Sequence, residues 1–183
     1  MKKFITSIIM ALVLITLGGA SLVSAAAPTD AEVVVAYQKA NVIFDWYTKN
    51  PLPTDGRAKY EQGYMIYYNV NHPTIHTMAD LRRETETAFT PGLTGKLIAS
   101  TRLYKEVKGI LYVAPANRGD NIMAGTTTFK VLRTSNPDSI TLQAITPIYS
   151  DHTHKIFVKN EVRDFTYVNT ISGWRFADFQ NVK

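Results

Sequence analysis

The sequence predicts an α+β domain in which N-terminal helices pack on a curved, mainly antiparallel sheet. In residues 29–49 and 77–98, apolar residues recur every three or four positions, which is typical of helices that bury one face. From residue 102 onward, short apolar segments alternate with turn residues, which is typical of strands. Helices followed by a run of strands indicate α+β organisation, because the helices can cover one face of the sheet.

The first helix is expected to begin after Thr29, because a threonine followed three residues later by Glu32 is typical of a capping box. The pair Asn50-Pro51 ends it, since the residue before a proline disfavours helical backbone angles. Residues 51–56 are expected to form a loop. The apolar stripe of this helix comprises Val33, Tyr37, Ala40, Phe44 and Tyr47.

A strand is expected over residues 62–70, and two further helices follow it. Thr77 and Asp80 repeat the capping pattern at the start of the second helix. The third begins at Thr90-Pro91, because proline is tolerated in the first turn of a helix. The later strands are expected at residues 110–114, 122–133, 139–148, 155–168 and 174–179.

The last strand is expected to be structural. Trp174 and Phe176 lie two residues apart, so they share one face of the strand and are expected to pack against the first helix. A curved sheet wrapped over helices fits, by analogy, the cone-shaped fold of the nuclear-transport-factor-2-like kind. Such an analogy concerns the fold and does not determine the function.

The first 25 residues have the organisation of a secretory signal peptide. Lys2 and Lys3 precede an apolar run of 14 residues, and Val23 and Ala25 match a small-residue cleavage site. A helix of that length spans only about 21 Å, less than the roughly 30 Å hydrocarbon core of a bilayer. We therefore predict cleavage after Ala25, a secreted or cell-envelope location, and a single domain over residues 26–183. The alternative is an uncleaved N-terminal anchor.

Composition and charge exclude several classes of protein. The chain of 183 residues has no cysteine, which excludes a disulfide framework, a cysteine-based zinc site and a cysteine nucleophile. Its formal net charge is +5, and removal of Lys2 and Lys3 lowers it by two. This weak positive charge favours an anionic cell-wall polymer as a possible partner. No basic cluster exceeds Arg82-Arg83, so nucleic acid is not an expected partner.

No enzymatic signature is recognisable, so the protein is expected to be non-enzymatic, with no cofactor and no metal. The sequence has neither a GxSxG motif nor a glycine-rich phosphate loop. Asp45 lies in an aromatic segment and is the one candidate catalytic carboxylate, but its helical position predicts that it faces water. Four histidines in polar, turn-rich segments are candidate zinc ligands without a supporting HExxH motif: His72, His76, His152 and His154.

Tyrosines are concentrated in the predicted strand near residue 64. On one strand they would form an amphipathic aromatic set able to stack on glycans or to anchor a protein partner. The alternative is that half of them line the core with their hydroxyls at its edge. The set comprises Tyr60, Tyr64, Tyr67 and Tyr68.

The loop that follows the predicted hairpin near residue 109 is the most distinctive candidate for recognition. It displays an arginine and an aspartate between two strands, which provide a rigid base for recognition residues. The alternative is a local role, in which the aspartate caps the turn and the arginine is solvated. The predicted partner-binding residues are Asn117, Arg118 and Asp120 of this loop, with Tyr104 and Tyr112 of the strands before it.

Three segments resemble a known family. YKEVKGILYVAPANRGDNI, the preceding TMADLRRETETAFTPGLTGKLI and the closing GWRFADF are similar to the IseA-type inhibitors of bacterial cell-wall DL-endopeptidases, over roughly residues 64–180. The resemblance implies a non-enzymatic protein that blocks the cleft of peptidoglycan-cleaving NlpC/P60-type hydrolases. The alternative is an extracytoplasmic cone-shaped domain that binds a small molecule or a cell-wall glycan. A deep pocket with convergent polar groups would favour this alternative, and a protruding charged loop would favour inhibition.

Overall fold

A computed structural model of the protein describes residues 26–116 and 118–182. The predicted signal peptide, residues 1–25, and the predicted binding residue Asn117 lie outside the described residues. Within them the chain forms three helices, which are α1 (Asp30–Thr48), α2 (Met78–Thr85) and α3 (Pro91–Ser100). It also forms eight strands: β1 (Thr54–Gln62), β2 (Met65–Val70), β3 (Tyr104–Val107), β4 (Ile110–Val113), β5 (Thr128–Arg133), β6 (Ser139–Tyr149), β7 (Phe157–Thr170) and β8 (Gly173–Phe176).

The strands form two four-stranded sheets, and every pairing between neighbouring strands is antiparallel. The first sheet has the order β1-β2-β4-β3 and the second has the order β5-β6-β7-β8. This architecture confirms the predicted α+β class. The strands are divided between two sheets rather than joined in one, and the analogy with the cone-shaped fold is not confirmed.

The helices begin where the sequence predicts, because the capping interactions are local. Thr29 Oγ1 accepts a hydrogen bond from the Glu32 amide, and the Glu32 carboxylate accepts one from the Thr29 amide at 2.7 Å. Thr77 and Asp80 form the same reciprocal pair at the start of α2. Each capping box satisfies amide groups that have no partner within the helix.

Helix α1 joins the two sheets into one core. Tyr37, near its N-terminal end, packs its ring 5.0 Å from Phe129 of the second sheet, measured between ring centroids. Tyr47, near its C-terminal end, packs 5.8 Å from Tyr104 of the first sheet. The expected burial of the last strand is also observed, since Phe176 is fully buried and its ring contacts Tyr37.

Two predicted boundaries are corrected. Residues 51–56, expected as a loop, contain the start of β1 at Thr54. The expected strand over residues 62–70 is the end of a hairpin, in which Gly63 adopts a positive φ of 60° and turns the chain. Tyr60 therefore lies on β1 and Tyr64 in the turn, while Tyr67 and Tyr68 lie on β2. The four tyrosines do not share one strand.

Candidate functional site

The segment between β4 and β5, residues 114–127, is called the β4–β5 loop, and it is anchored near both ends. Towards its start, the Arg118 amide donates to the Lys49 carbonyl at 3.3 Å. Towards its end, the Gly125 amide donates to the Pro147 carbonyl at 2.8 Å, and Tyr149 donates to Met123 at 2.9 Å. The predicted strand over residues 122–133 accordingly begins only at Thr128.

Glycine is required at the second anchor. A Cβ atom at Gly125 would lie 2.8 Å from a ring carbon of Tyr149 and 3.0 Å from Pro147. Real Cβ atoms essentially never come within 2.8 Å of another heavy atom, so a larger residue would push the loop away from β6. The close approach places the adjoining exposed residues at a fixed position beside the β6–β7 hairpin.

Lys49 provides the side-chain anchor at the first end. Its ammonium nitrogen lies 2.7 Å from Oδ1 of Asp120, and the lysine side chain is only 9% exposed, whereas that of Asp120 is 70% exposed. The lysine follows the last residue of α1, where the helix dipole favours a positive charge. Sequence reasoning did not select Lys49, because its partner lies 71 residues away in the chain.

The structure separates the predicted partner-binding residues. Arg118 and Asp120 are both exposed on the β4–β5 loop. Tyr104 is buried, and its hydroxyl donates to the Trp46 carbonyl and accepts from the Leu52 amide, each at 3.0 Å. Burial raises the pKa of this hydroxyl. Tyr104 therefore joins the end of α1 to the following segment, out of reach of a partner's surface, while Tyr112 is half-buried against Tyr60.

Exposed apolar side chains beside the loop form a surface that sequence reasoning missed. The carbonyl of Ile122 in the loop lies 2.9 Å from Nε2 of His154, and His154 stacks on Tyr149 at the end of β6. This contact joins the loop to the tip of the β6–β7 hairpin. We call the resulting set the tip surface, and its exposed apolar members are Ile122, Ile156, Phe157 and Val158.

A cleft of about 380 Å³ lies between α1, the β4–β5 loop and β5. Its apolar wall is formed by Tyr37, Phe129 and Val182. Seven polar residues converge on it: Gln38, Asn41, Asp45, Lys49, Asp120, Thr126 and Thr127. The volume falls within the range of roughly 300–1,000 Å³ that is usual for small-molecule sites.

Asp45 lines this cleft instead of facing open water as the sequence predicted. Its Oδ2 accepts a hydrogen bond from the Asn41 amide group at 3.3 Å, whereas its Oδ1 is enclosed and has no hydrogen-bond partner among the described residues. Burial raises the pKa of Asp45, Asp120 adds to the rise, and Lys49 opposes it. The correction arises because the β4–β5 loop covers this side of α1.

The histidines do not converge. His154 lies at the tip of the β6–β7 hairpin, whereas His72 lies beside Trp46 and interacts with Thr74. Across residues 26–116 and 118–182, no group of three or more histidine, aspartate or glutamate side chains is arranged to hold a metal ion.

The chain matches no model of a known protein family, and no curated protein matches it in sequence. In the part of the chain that the structure describes, no helix has the length and apolar character needed to span a bilayer.

Proposed function

We propose that this is an exported, non-enzymatic protein that binds and restrains a peptidoglycan-cleaving DL-endopeptidase of the NlpC/P60 type. In this proposal the chain is cleaved after Ala25 and acts outside the cytoplasm, with the cell wall as its surroundings. The observation that supports it best is the β4–β5 loop, which is held near both ends while Arg118, Asp120 and Ile122 remain exposed. The resemblance to the IseA-type inhibitors supplies the class of partner.

An anchored loop suits inhibition on physical grounds. A loop that is already ordered loses less conformational entropy when it enters a partner's cleft, so more of its contact energy appears as affinity. The guanidinium of Arg118 can donate two parallel hydrogen bonds to a carboxylate. Ile122, with 68% of its surface exposed, supplies an apolar anchor beside that charge. A charged contact next to an apolar anchor is the composition expected of an energetic centre in an interface.

The test is the affinity of the purified protein for a purified DL-endopeptidase of the same envelope, measured by calorimetry. The double variant Arg118→Ala/Ile122→Ala should lose at least about thirtyfold in affinity, which corresponds to about 2 kcal/mol. Its thermal midpoint should not change, because both side chains are exposed. Asp120→Ala is not a suitable probe, since it would also leave the Lys49 ammonium without its partner.

A matched control is available on other parts of the surface. Ile171, in the β7–β8 turn, is 99% exposed, and Arg102 is exposed before β3. The variant Arg102→Ala/Ile171→Ala removes the same two types of side chain and should bind like the parent protein. Equal losses in the two double variants, or no loss in either, would remove the β4–β5 loop from the interface.

A second function, binding of a small ligand in the cell envelope, is favoured by the cleft beside α1. Its polar residues include the carboxylate of Asp45. The two functions share the β4–β5 loop, because Asp120 lines the cleft, but Arg118 and Ile122, whose replacement tests inhibition, do not line it.

A further inference from the structure

The charges in the cleft are unevenly matched. Lys49 and Asp120 form an ion pair at 2.7 Å and so neutralise each other. Among the described residues the Asp45 side chain makes no ion pair, and its one hydrogen bond comes from the neutral Asn41. With Asp45 ionised, the three charged residues that line the cleft carry one net negative charge. A partly buried charge without a counterion is unfavourable, and a cation bound in the cleft would compensate it.

Part of the lining of the cleft is aromatic. The rings of Tyr37 and Phe129 lie with their centroids 5.0 Å apart at an angle of 55°, and both line the cleft with Val182. Burial raises the pKa of Tyr37 to about 12, so its hydroxyl is neutral under ordinary conditions. Faces of aromatic rings attract organic cations, and they also accommodate alkyl chains.

We propose that the cleft binds a small primary alkylammonium ligand, whose ammonium group donates to Asp45 and whose alkyl chain lies along Tyr37 and Phe129. This rests on the second of the two proposed functions, ligand binding, and is independent of the first. The hydroxyl group of Thr126, which also lines the cleft, is a further acceptor, whereas that of Thr127 is already hydrogen-bonded to Thr146 at 2.8 Å. The ligand supplies the positive charge that balances Asp45.

Other classes of ligand fit less well. An anion would have to separate Lys49 from Asp120 and would be repelled by Asp45. A metal ion would meet two carboxylates together with the Lys49 ammonium, and no cluster of three ligands is present in the described chain. A neutral molecule would leave the net charge of the cleft uncompensated.

Binding should depend on pH through Asp45, which must be ionised to hold the ammonium group. The charged and titratable groups that face it are Tyr37 of α1, Lys49 just after α1 and Asp120 of the β4–β5 loop. The lining residues Thr126 and Thr127 of this loop and Phe129 of β5 are not titratable. The pKa of Asp45 is raised in the protein without a ligand. The affinity for the ammonium ligand should therefore fall as the pH is lowered through this raised pKa. The bound ammonium would in turn lower this pKa.

The probe is n-pentylammonium chloride, titrated into the purified protein at pH 7 and followed by the amide resonances of Asn41, Thr126 and Thr127. Saturable shifts with a dissociation constant of about 1–10 mM are expected for a ligand of this size. Pentan-1-ol has the same number of heavy atoms without the charge, and it should bind at least about tenfold more weakly.

Asp45→Asn should weaken pentylammonium binding at least about tenfold, because it keeps the shape of the side chain and removes its charge. Glu84→Gln on α2 is the matched control, since it removes a partly exposed carboxylate whose ion pair is a long 3.9 Å contact with Lys39. It should bind like the parent. Circular dichroism confirms that both variants are folded.

Each other outcome overturns the proposal in a distinguishable way. If pentanol and pentylammonium bind equally well, the cleft takes ligands but does not select an ammonium group. If neither shifts the cleft resonances, ligand binding at this site fails as well. Unchanged affinity in Asp45→Asn would place any bound amine elsewhere. None of these results bears on the binding of a hydrolase by the β4–β5 loop.

Discussion

The two sides of helix α1 differ in what determines their environment. One side is apolar, and its residues Val33, Ala40 and Ile43 are almost completely buried in the core. The other side carries Asn41, Asp45 and, just after the helix, Lys49, which face the cleft and the β4–β5 loop. The first environment follows from helical periodicity, whereas the second depends on a segment some 70 residues further along the chain.

The largest effect on stability is expected for one of two adjacent residues of α1. Ile43 is 2% exposed and Val42 is 57% exposed. Ile43→Ala should lower the free energy of unfolding by about 2–5 kcal/mol, because it removes buried apolar contacts and leaves a cavity. Val42→Ala should change it by less than about 0.5 kcal/mol. Urea unfolding measures both, and equal effects would mean that α1 does not face the core as described.

An intermediate effect is expected for the ion pair between α1 and the β4–β5 loop. Asp120→Ala should destabilise the protein by about 1–2 kcal/mol, less than for a fully buried pair because Asp120 is largely exposed. The double variant Lys49→Met/Asp120→Ala should recover most of this loss, since no buried ammonium then lacks a partner. Thermal unfolding checks both variants; a double variant no more stable than Asp120→Ala would show that the ion pair does not link the loop to α1.

How well each element could be predicted from the sequence depends on how far apart in the chain the residues that determine it lie. The capping boxes at Thr29 and Thr77 and the stripe of α1 depend on residues at most four positions apart, and the sequence predicted them correctly. The hairpin turn at Gly63 was included in one predicted strand, because the alternating pattern of residues 64–70 was extended back across the glycine to Gln62. The division into two sheets depends on strand pairing, which the local pattern does not encode.

The candidate site was predicted less completely for the same reason. Arg118 and Asp120 were selected from turn chemistry, and both are exposed on the loop. Tyr104 was selected as a strand aromatic, but its burial depends on contacts with Trp46 and Leu52. Asp45 could be placed opposite the apolar stripe but not beneath a loop, because nothing within its own turn of helix indicates the cover.

The smallest expected effect concerns the polar side of α1. The pKa of Asp45 in the folded state is raised above its ordinary value of 3.8. At pH values between the ordinary pKa and the raised pKa, the folded state therefore binds more protons than the unfolded state. The contribution of Asp45 to stability should therefore fall as the pH rises through that interval. Asp45→Asn should be more stable than the parent at pH 7, and the difference should vanish near pH 3, about one unit below the ordinary value.

Urea unfolding at the two pH values measures this difference, and Glu84→Gln provides the control for a change in net charge. A variant that is less stable than the parent at pH 7 would mean that Asp45 has a favourable partner in the folded protein. The polar side chains on the cleft side of α1 would then be as favourably placed in the folded protein as the apolar side chains on its buried side.

The proposed inhibition is tested most directly by the rate at which a purified NlpC/P60-type DL-endopeptidase cleaves peptidoglycan fragments in the presence of this protein. With the protein in slight molar excess, the rate should fall to a small fraction of that of the enzyme alone. The Arg118→Ala/Ile122→Ala variant should leave most of the rate intact at the same concentration, while Arg102→Ala/Ile171→Ala should inhibit like the parent. An unchanged cleavage rate with the parent protein would contradict the proposed function.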